Sequence, residues 1–331
     1  MSAEERAVDV RSVVTFDERY MAGQRLRERI FRAATLAAAL LVLVLLGGVA
    51  IALLHGAWPA LSRFKLAFLT RDIWNPVDEQ YGALSAVYGT VVTSVLAMLF
   101  ALPISFGIAV FLTELAPPWL KRPVGVAIEL LAAIPSIIFG FWGLFVLAPV
   151  LQESVQPWLI DKLGPLPGIG ALFRGAPFGI GMLTAGIVLA IMIIPFITAV
   201  VRDVFETVPD VLKESAYGLG ATTWEVIWQV VVPHSRAGIV GGTMLGLGRA
   251  LGETMAVTFV IGNAHQISAS LMNPGTTISA AIANEFTEAT TPLYTSALIA
   301  LGALLFLITF SVIAAARFML MRLDRRALSS V

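Results

Sequence analysis

Arg249 and Glu253 are the only charges in an otherwise apolar stretch, residues 237–262. A charge at the centre of a membrane-crossing helix costs roughly 2.5–3.5 kcal/mol on insertion scales, so each of the two calls for a partner. In a continuous helix their spacing places them on one face, one turn apart, where Glu253 can neutralise Arg249. Two chemistries fit such a pair. The planar guanidinium can hold a tetrahedral oxyanion while the carboxylate orients it or exchanges partners. Alternatively the two are a structural pair, since buried pairs persist without adding stability. Gly246, Gly248 and Gly252 would let another helix come close.

The second group with chemical content is the polar loop 202–236. Pro209 suits the first turn of a helix and Gly220 the residue just past its end, which predicts a helix over 209–219. On it Leu212, Ala216 and Leu219 share one face, and Ser215, Ala216 and Gly218 are small enough for close docking. Thr222 and Glu225 have the spacing of a capping box, and Pro233 is expected to stop the helix that follows. Such an amphipathic loop either docks on a partner protein or packs on its own spans. His55, His234 and His265 lie in separate segments without ligand spacing, and there is no cysteine, so no metal site and no cofactor are expected.

The elements that must position these residues are membrane spans. The chain is 58% hydrophobic and 13% charged, with zero formal net charge and a mean hydropathy of +0.86. That composition excludes an ordinary soluble domain and gives no global attraction to nucleic acid. Uncharged or nearly uncharged runs of about 20 residues, the length that crosses hydrocarbon, predict six spans. They fall near 33–54, 89–112, 124–147, 179–201, 237–262 and 293–315, with bends at Pro103 and Pro195. Glu129 lies near one end of the third span, where it can snorkel to the interface. The breaker-rich segments 55–80, 151–178 and 263–292 read as external loops, the second with room for one short helix. Arg25, Arg27, Arg29 and Arg32 before the first span, and Arg317, Arg322, Arg325 and Arg326 after the last, hold both termini in the cytoplasm. The expected divisions are a cytoplasmic tail (1–32), a first span with its external loop (33–83), a transmembrane domain containing the loop 202–236 (84–321) and a cytoplasmic tail (322–331).

Nothing in this chain can turn over ATP. None of Lys65, Lys121, Lys162 and Lys213 follows a glycine, so a phosphate-cradling G-x-x-x-x-G-K-[ST] cannot be written. Energy comes from a partner, from a gradient, or not at all; a non-transporting scaffold or sensor also remains open.

Glu214-Ser215-Ala216, then Gly220, then Val230, Val232 and Pro233 resemble the EAA loop of ABC importer permeases in full spacing. Ser215 stands for the second motif residue, and Val230 and Val232 for the larger aliphatics. Arg249-Ala250-Leu251-Gly252-Glu253-Thr254 is similar to the R-A-x-G-E-T element of phosphate-specific permeases, and the Ile134-Pro135-Ser136 and 140–149 runs resemble the PstC-type subunit. The resemblance covers residues 82–321. It implies an all-α, six-helix type I ABC importer permease of the bacterial cytoplasmic membrane that is not itself an enzyme. It further implies a second phosphate permease as heterodimer partner, two ATP-binding subunits coupled through 209–233, and an external phosphate-binding protein. By the same resemblance Glu214, Ser215, Ala216, Gly220 and Pro233 face the ATPase, and Arg249 and Glu253 line the substrate path. A permease for another oxyanion and a gradient-driven anion transporter or channel are the alternatives.

Overall fold

The computed structural model describes residues 18–328, and within them the chain is almost wholly helical. Residues 1–17 and 329–331, the outer parts of the two expected tails, lie outside the described residues. A chain this apolar has no water with which to satisfy its backbone inside a bilayer, so helices that close their own hydrogen bonds are the expected solution.

Two units are distinguished, Met1–Ala52 and Leu53–Val331. The first contains most of the opening helix, α1 (Glu18–Phe64), which carries no charge over residues 33–54. Helix-forming Arg, Leu and Glu carry α1 through residues 18–32, where a tail was expected. At its other end α1 runs past Pro59 into the expected external loop. There the Ser296 hydroxyl donates to Gly56 O at 2.8 Å and accepts from Ala60 N at 3.0 Å, replacing a rung of the helix beside the proline.

In the second unit α2 (Ala67–Thr70) and the strands β1 (Trp74–Asn75) and β2 (Gln80–Tyr81) cover one end of the bundle. Next come α3 (Leu84–Val110), ending in a π turn at Phe111–Leu115, and α4 (Pro118–Ala132). The chain breaks at Ala133–Pro135 and resumes as α5 (Ser136–Trp142), α6 (Ala148–Val150) and α7 (Gln156–Leu163), which π turns join into one run to Leu163. The expected third span, 124–147, is therefore split, because Pro135 lacks an N–H and restricts the residue before it. The helical run also extends into the expected loop 151–178.

The remaining elements are α8 (Met182–Glu206), α9 (Asp210–Gly218), α10 (Thr223–Val226), α11 (Val232–Gly252), α12 (Met255–Val260), α13 (Ile278–Glu285) and α14 (Pro292–Leu328). Among the described residues five helices are individually long and apolar enough to cross a membrane; they begin at Gly23, Leu84, Ser136, Met182 and Pro292. The fifth expected span is absent from that set. It is interrupted between Gly252 and Met255, and this interruption shapes the candidate site.

The central helix is α8, whose Val188, Leu189, Ile193, Ile197 and Val201 are buried among α3, α5, α11 and α12. Glycines set its spacing to α11. A Cβ on Gly238, Gly242 or Gly246 would lie 2.4–3.0 Å from Val204, Val200 or Ile197. One bare position per turn thus brings the two backbones together. Of the glycines expected to admit a neighbour, Gly246 meets α8, Gly248 faces Ile313 of α14 at 3.7 Å, and Gly252 faces open space.

Candidate functional site

Arg249 sits in the last turn of α11, which the glycine stripe holds against α8. Its guanidinium carbon lies 4.0 Å from the ring centroid of Phe196, the residue after Pro195 in α8. Stacking uses the face of the guanidinium and leaves its edge donors available. Nε is buried and has no hydrogen-bond partner. A buried donor left unmade costs about 1–3 kcal/mol, which an arriving oxyanion would offset.

Glu253 does not neutralise this charge. The helix ends at Gly252, and Glu253 takes an extended conformation (φ −69°, ψ 130°), so the one-turn relation assumed from the spacing does not exist. Its Oε1 instead accepts the Ala256 N–H at 3.3 Å, serving a free donor in the first turn of α12. Among the described residues no ion pair joins Arg249 to Glu253. A weak helix former at 252 and a side chain able to serve the next helix start make this break local in origin. Beyond it, α12 packs on α5, where a Cβ on Gly140 would lie 3.0 Å from Ala256 Cα. Two interrupted helices therefore meet beside α8, one broken at Ala133–Pro135 and the other at Glu253–Thr254.

The loop 202–236 forms a helical hairpin. Helix α9 starts after Pro209, and Gly220 follows with φ +91°, a left-handed conformation that suits glycine. No atom lies within 4 Å of a Cβ built at Gly220, so backbone conformation alone sets the requirement. The capping box forms: Thr222 Oγ1 accepts from Glu225 N at 3.4 Å and Glu225 Oε2 accepts from Thr222 N at 2.8 Å. Those bonds from Thr222 hold the Glu225 carboxyl below the usual carboxylate range.

Pro233 does not stop the helix. A π turn at Ile227–Val231 lets the Val232 N–H reach Ile227 O, and Pro233 then takes an early position in α11. On α9 Glu214 and Ser215 are exposed while Ala216 packs on the core. Val211, Leu212, Tyr217 and Leu219 leave large apolar surfaces uncovered, Leu219 at 91%. Lys213 turns the other way. Its Nζ lies 2.7 Å from Glu114 Oε1 in the π turn after α3, and the two side chains are 15% and 7% exposed. Glu129, expected to snorkel to the interface, has a largely exposed side chain and accepts from Arg202 Nη2 at 3.0 Å.

At the end of the bundle that carries the β hairpin, a cluster unforeseen from sequence surrounds Glu285. Trp74 Nε1 and Tyr294 Oη donate to its Oε2 at 2.6 Å, and His265 Nε2 lies 2.6 Å from its Oε1. Trp74 stacks on His265 with centroids 5.1 Å apart. Burial alone would raise the Glu285 carboxyl, but bonds from His265, Tyr294 and Trp74 outweigh it and hold the group below its ordinary value. These partners stand 211, 20 and 9 residues from Glu285, so no local motif could signal them.

Residues 101–326 match the family described as "Binding-protein-dependent transport system inner membrane component". The chain is 64% identical over 301 residues to the phosphate transport system permease protein PstC of Mesorhizobium japonicum, covering 91% of this chain and 92% of that one. It is 60% identical over 299 residues to the PstC of Pasteurella multocida, covering 90% and 93%. Among solved structures, a chain of a bacterial alginate ABC transporter in complex with its alginate-bound periplasmic protein shares the fold. The TM-score is 0.59 at 18% identity, over 91% of this chain and 97% of that one. The chain therefore belongs to the family of binding-protein-dependent transport system inner membrane components, on the branch formed by the phosphate transport system permease proteins PstC.

Proposed function

We propose that the protein is a permease subunit of an ATP-driven phosphate importer, with Arg249 as the side chain that meets the anion during its passage. The observation that carries this reading is the state of Arg249. It is a guanidinium stacked on Phe196, with a buried Nε and, among the described residues, neither a hydrogen-bond partner for that Nε nor a carboxylate paired to the group. Its donors are kept in place and unspent, as a tetrahedral oxyanion requires. Glu253, at the break, acts on the path by setting where α11 ends and α12 begins. The kinship with phosphate permeases supports phosphate as that oxyanion.

The energy enters through α9 in this account. Glu214, Ser215 and the exposed apolar surface of Val211, Leu212 and Leu219 form the face offered to an ATP-binding subunit. Ala216 and Lys213 hold the other side of α9 to the protein's own bundle. Gly220 and Pro233 give the hairpin its elbow and its return limb. The complete importer then contains a second phosphate permease, two ATP-binding subunits and an external phosphate-binding protein.

The test is reconstitution of the assembled complex in vesicles. ATP-dependent phosphate accumulation, together with ATP hydrolysis that rises when the loaded binding protein is added, is the expected result. Phosphate flux that follows an imposed ion gradient without ATP would overturn the reading in favour of a gradient-driven carrier.

A further inference from the structure

At the end of the bundle that carries α9, α4, the π turn after α3 and the last turns of α8 border an open cavity of about 280 Å³. Lys121, Arg122 and Arg202 line it, together with Glu129 and Glu206. Arg202 can enter because residue 125 has no side chain: a Cβ on Gly125 would lie 2.7 Å from its Nη1. The charge of Arg202 is already shared, with Glu129 and Asp203 at 3.0 Å and Glu206 at 3.9 Å. Lys121 spends one donor on Thr113 O at 2.6 Å and keeps two. Arg122 is exposed and has no hydrogen-bond or ion-pair partner among the described residues. The chain thus leaves two neighbouring cations at the cavity that are paired with no carboxylate among the described residues, since Glu129 and Glu206 both turn to Arg202.

The surface that continues from this rim along α4 is apolar apart from Glu129, whose carboxylate is held by Arg202. Arg122, Val126 and Leu130 follow one another at successive turns of α4, on one face, about 12 Å from first to last at 1.5 Å per residue. Val126 lines the cavity, and both Val126 and Leu130 are exposed. Trp119, 75% exposed, stands one turn before Arg122, where amphipathic aromatics favour a membrane–water boundary. Cationic donors at one end and an aliphatic track at the other reproduce the polarity of a lipid molecule, whereas a free anion could use only the charged end.

We propose that this cavity is a phospholipid site, in which Lys121 and Arg122 hold the phosphodiester of a membrane glycerophospholipid and an acyl chain lies along Val126 and Leu130. The contact is a charge-assisted one to phosphate oxygens, for which the guanidinium fork is well shaped. The inference rests on the membrane character of the chain and is independent of which solute it carries.

The experiment titrates the purified full-length protein in detergent with phosphatidylglycerol and reads bound lipid by native mass spectrometry. Parallel arms use diacylglycerol, which lacks the phosphate, and inorganic phosphate as competitor. Arg122→Gln and Lys121→Gln should each weaken lipid binding about tenfold, the loss of one charge-assisted contact. Leu130→Ser should weaken it as well, diacylglycerol should not bind, and excess inorganic phosphate should not displace the lipid. Arg122 is exposed and unpaired, so its replacement leaves the fold intact, which an unchanged melting temperature checks. Lipid binding that is equal in wild type, Arg122→Gln and Lys121→Gln would overturn the proposal. So would full displacement by inorganic phosphate with no effect of Leu130→Ser, which would mark a site for the free anion.

Discussion

Lys213→Met should break the connection between α9 and the bundle. The substitution keeps the length of the side chain and removes only the ammonium that lies 2.7 Å from Glu114 Oε1. What remains is a carboxylate 7% exposed with its partner gone. Removing one partner of a buried pair costs about 3–5 kcal/mol, because the other charge stays desolvated and uncompensated. The lower end of that range, spent on α9 alone, would move its equilibrium between held and released by about two orders of magnitude. Replacing both partners by apolar residues, Lys213→Met with Glu114→Leu, removes the stranded charge and should recover most of the stability. The assay is ATP-driven phosphate uptake in vesicles, normalised to assembled complex, beside the melting temperature of the same preparations. The single variant should lose uptake while the complex still hydrolyses ATP, and the double variant should melt near wild type. Wild-type uptake and melting in Lys213→Met would refute the reasoning, since the pair would then hold nothing.

Gly220→Val should impair coupling without disturbing the spans. Its φ of +91° disfavours any residue with a Cβ by about 1–2 kcal/mol, and no neighbour lies close enough to be struck. Uptake per ATP hydrolysed should fall while membrane insertion is retained; unchanged coupling would remove the elbow from the account. The carboxyl of Glu285 is held below its ordinary value of 4.5, so its stabilising contribution is full above that pH and is lost as pH falls through the depressed folded value. Thermal melting followed from about pH 5 toward about pH 3 should therefore show a steep acid limb in wild type and a flatter one in Glu285→Gln. Equal slopes would mean that the cluster around Trp74, His265 and Tyr294 carries no such linkage.

Local signals were legible in the sequence wherever the structure obeys local rules. Pro209, Gly220 and the Thr222–Glu225 box mark the hairpin of the 202–236 loop, and each forms as its chemistry dictates. The apolar runs locate the long helices that begin at Leu84, Met182 and Pro292. Sequence reasoning erred where a helix was assumed to be continuous. The spacing of Arg249 and Glu253 implies a pair only if the backbone between them stays helical, and Gly252 ends it. Pro233 suggests a stop and Pro59 falls in an expected external loop, yet each lies within a helix. A distant serine hydroxyl relieves one and a π turn the other. The Glu285 cluster was hidden for a different reason. Its members are dispersed along the chain, and only folding gathers their donors around one carboxylate.

The most direct measurement of the central claim is phosphate uptake by Arg249→Lys complexes, normalised to assembled protein and set beside the Arg249→Leu/Glu253→Leu double variant. Lysine keeps the positive charge but loses the planar fork that stacks on Phe196 and presents parallel donors. The account predicts that Arg249→Lys assembles and reaches the membrane but transports phosphate poorly, and that the double variant does not transport at all. Wild-type uptake by the double variant would contradict it, for then no guanidinium is needed on the path of the anion.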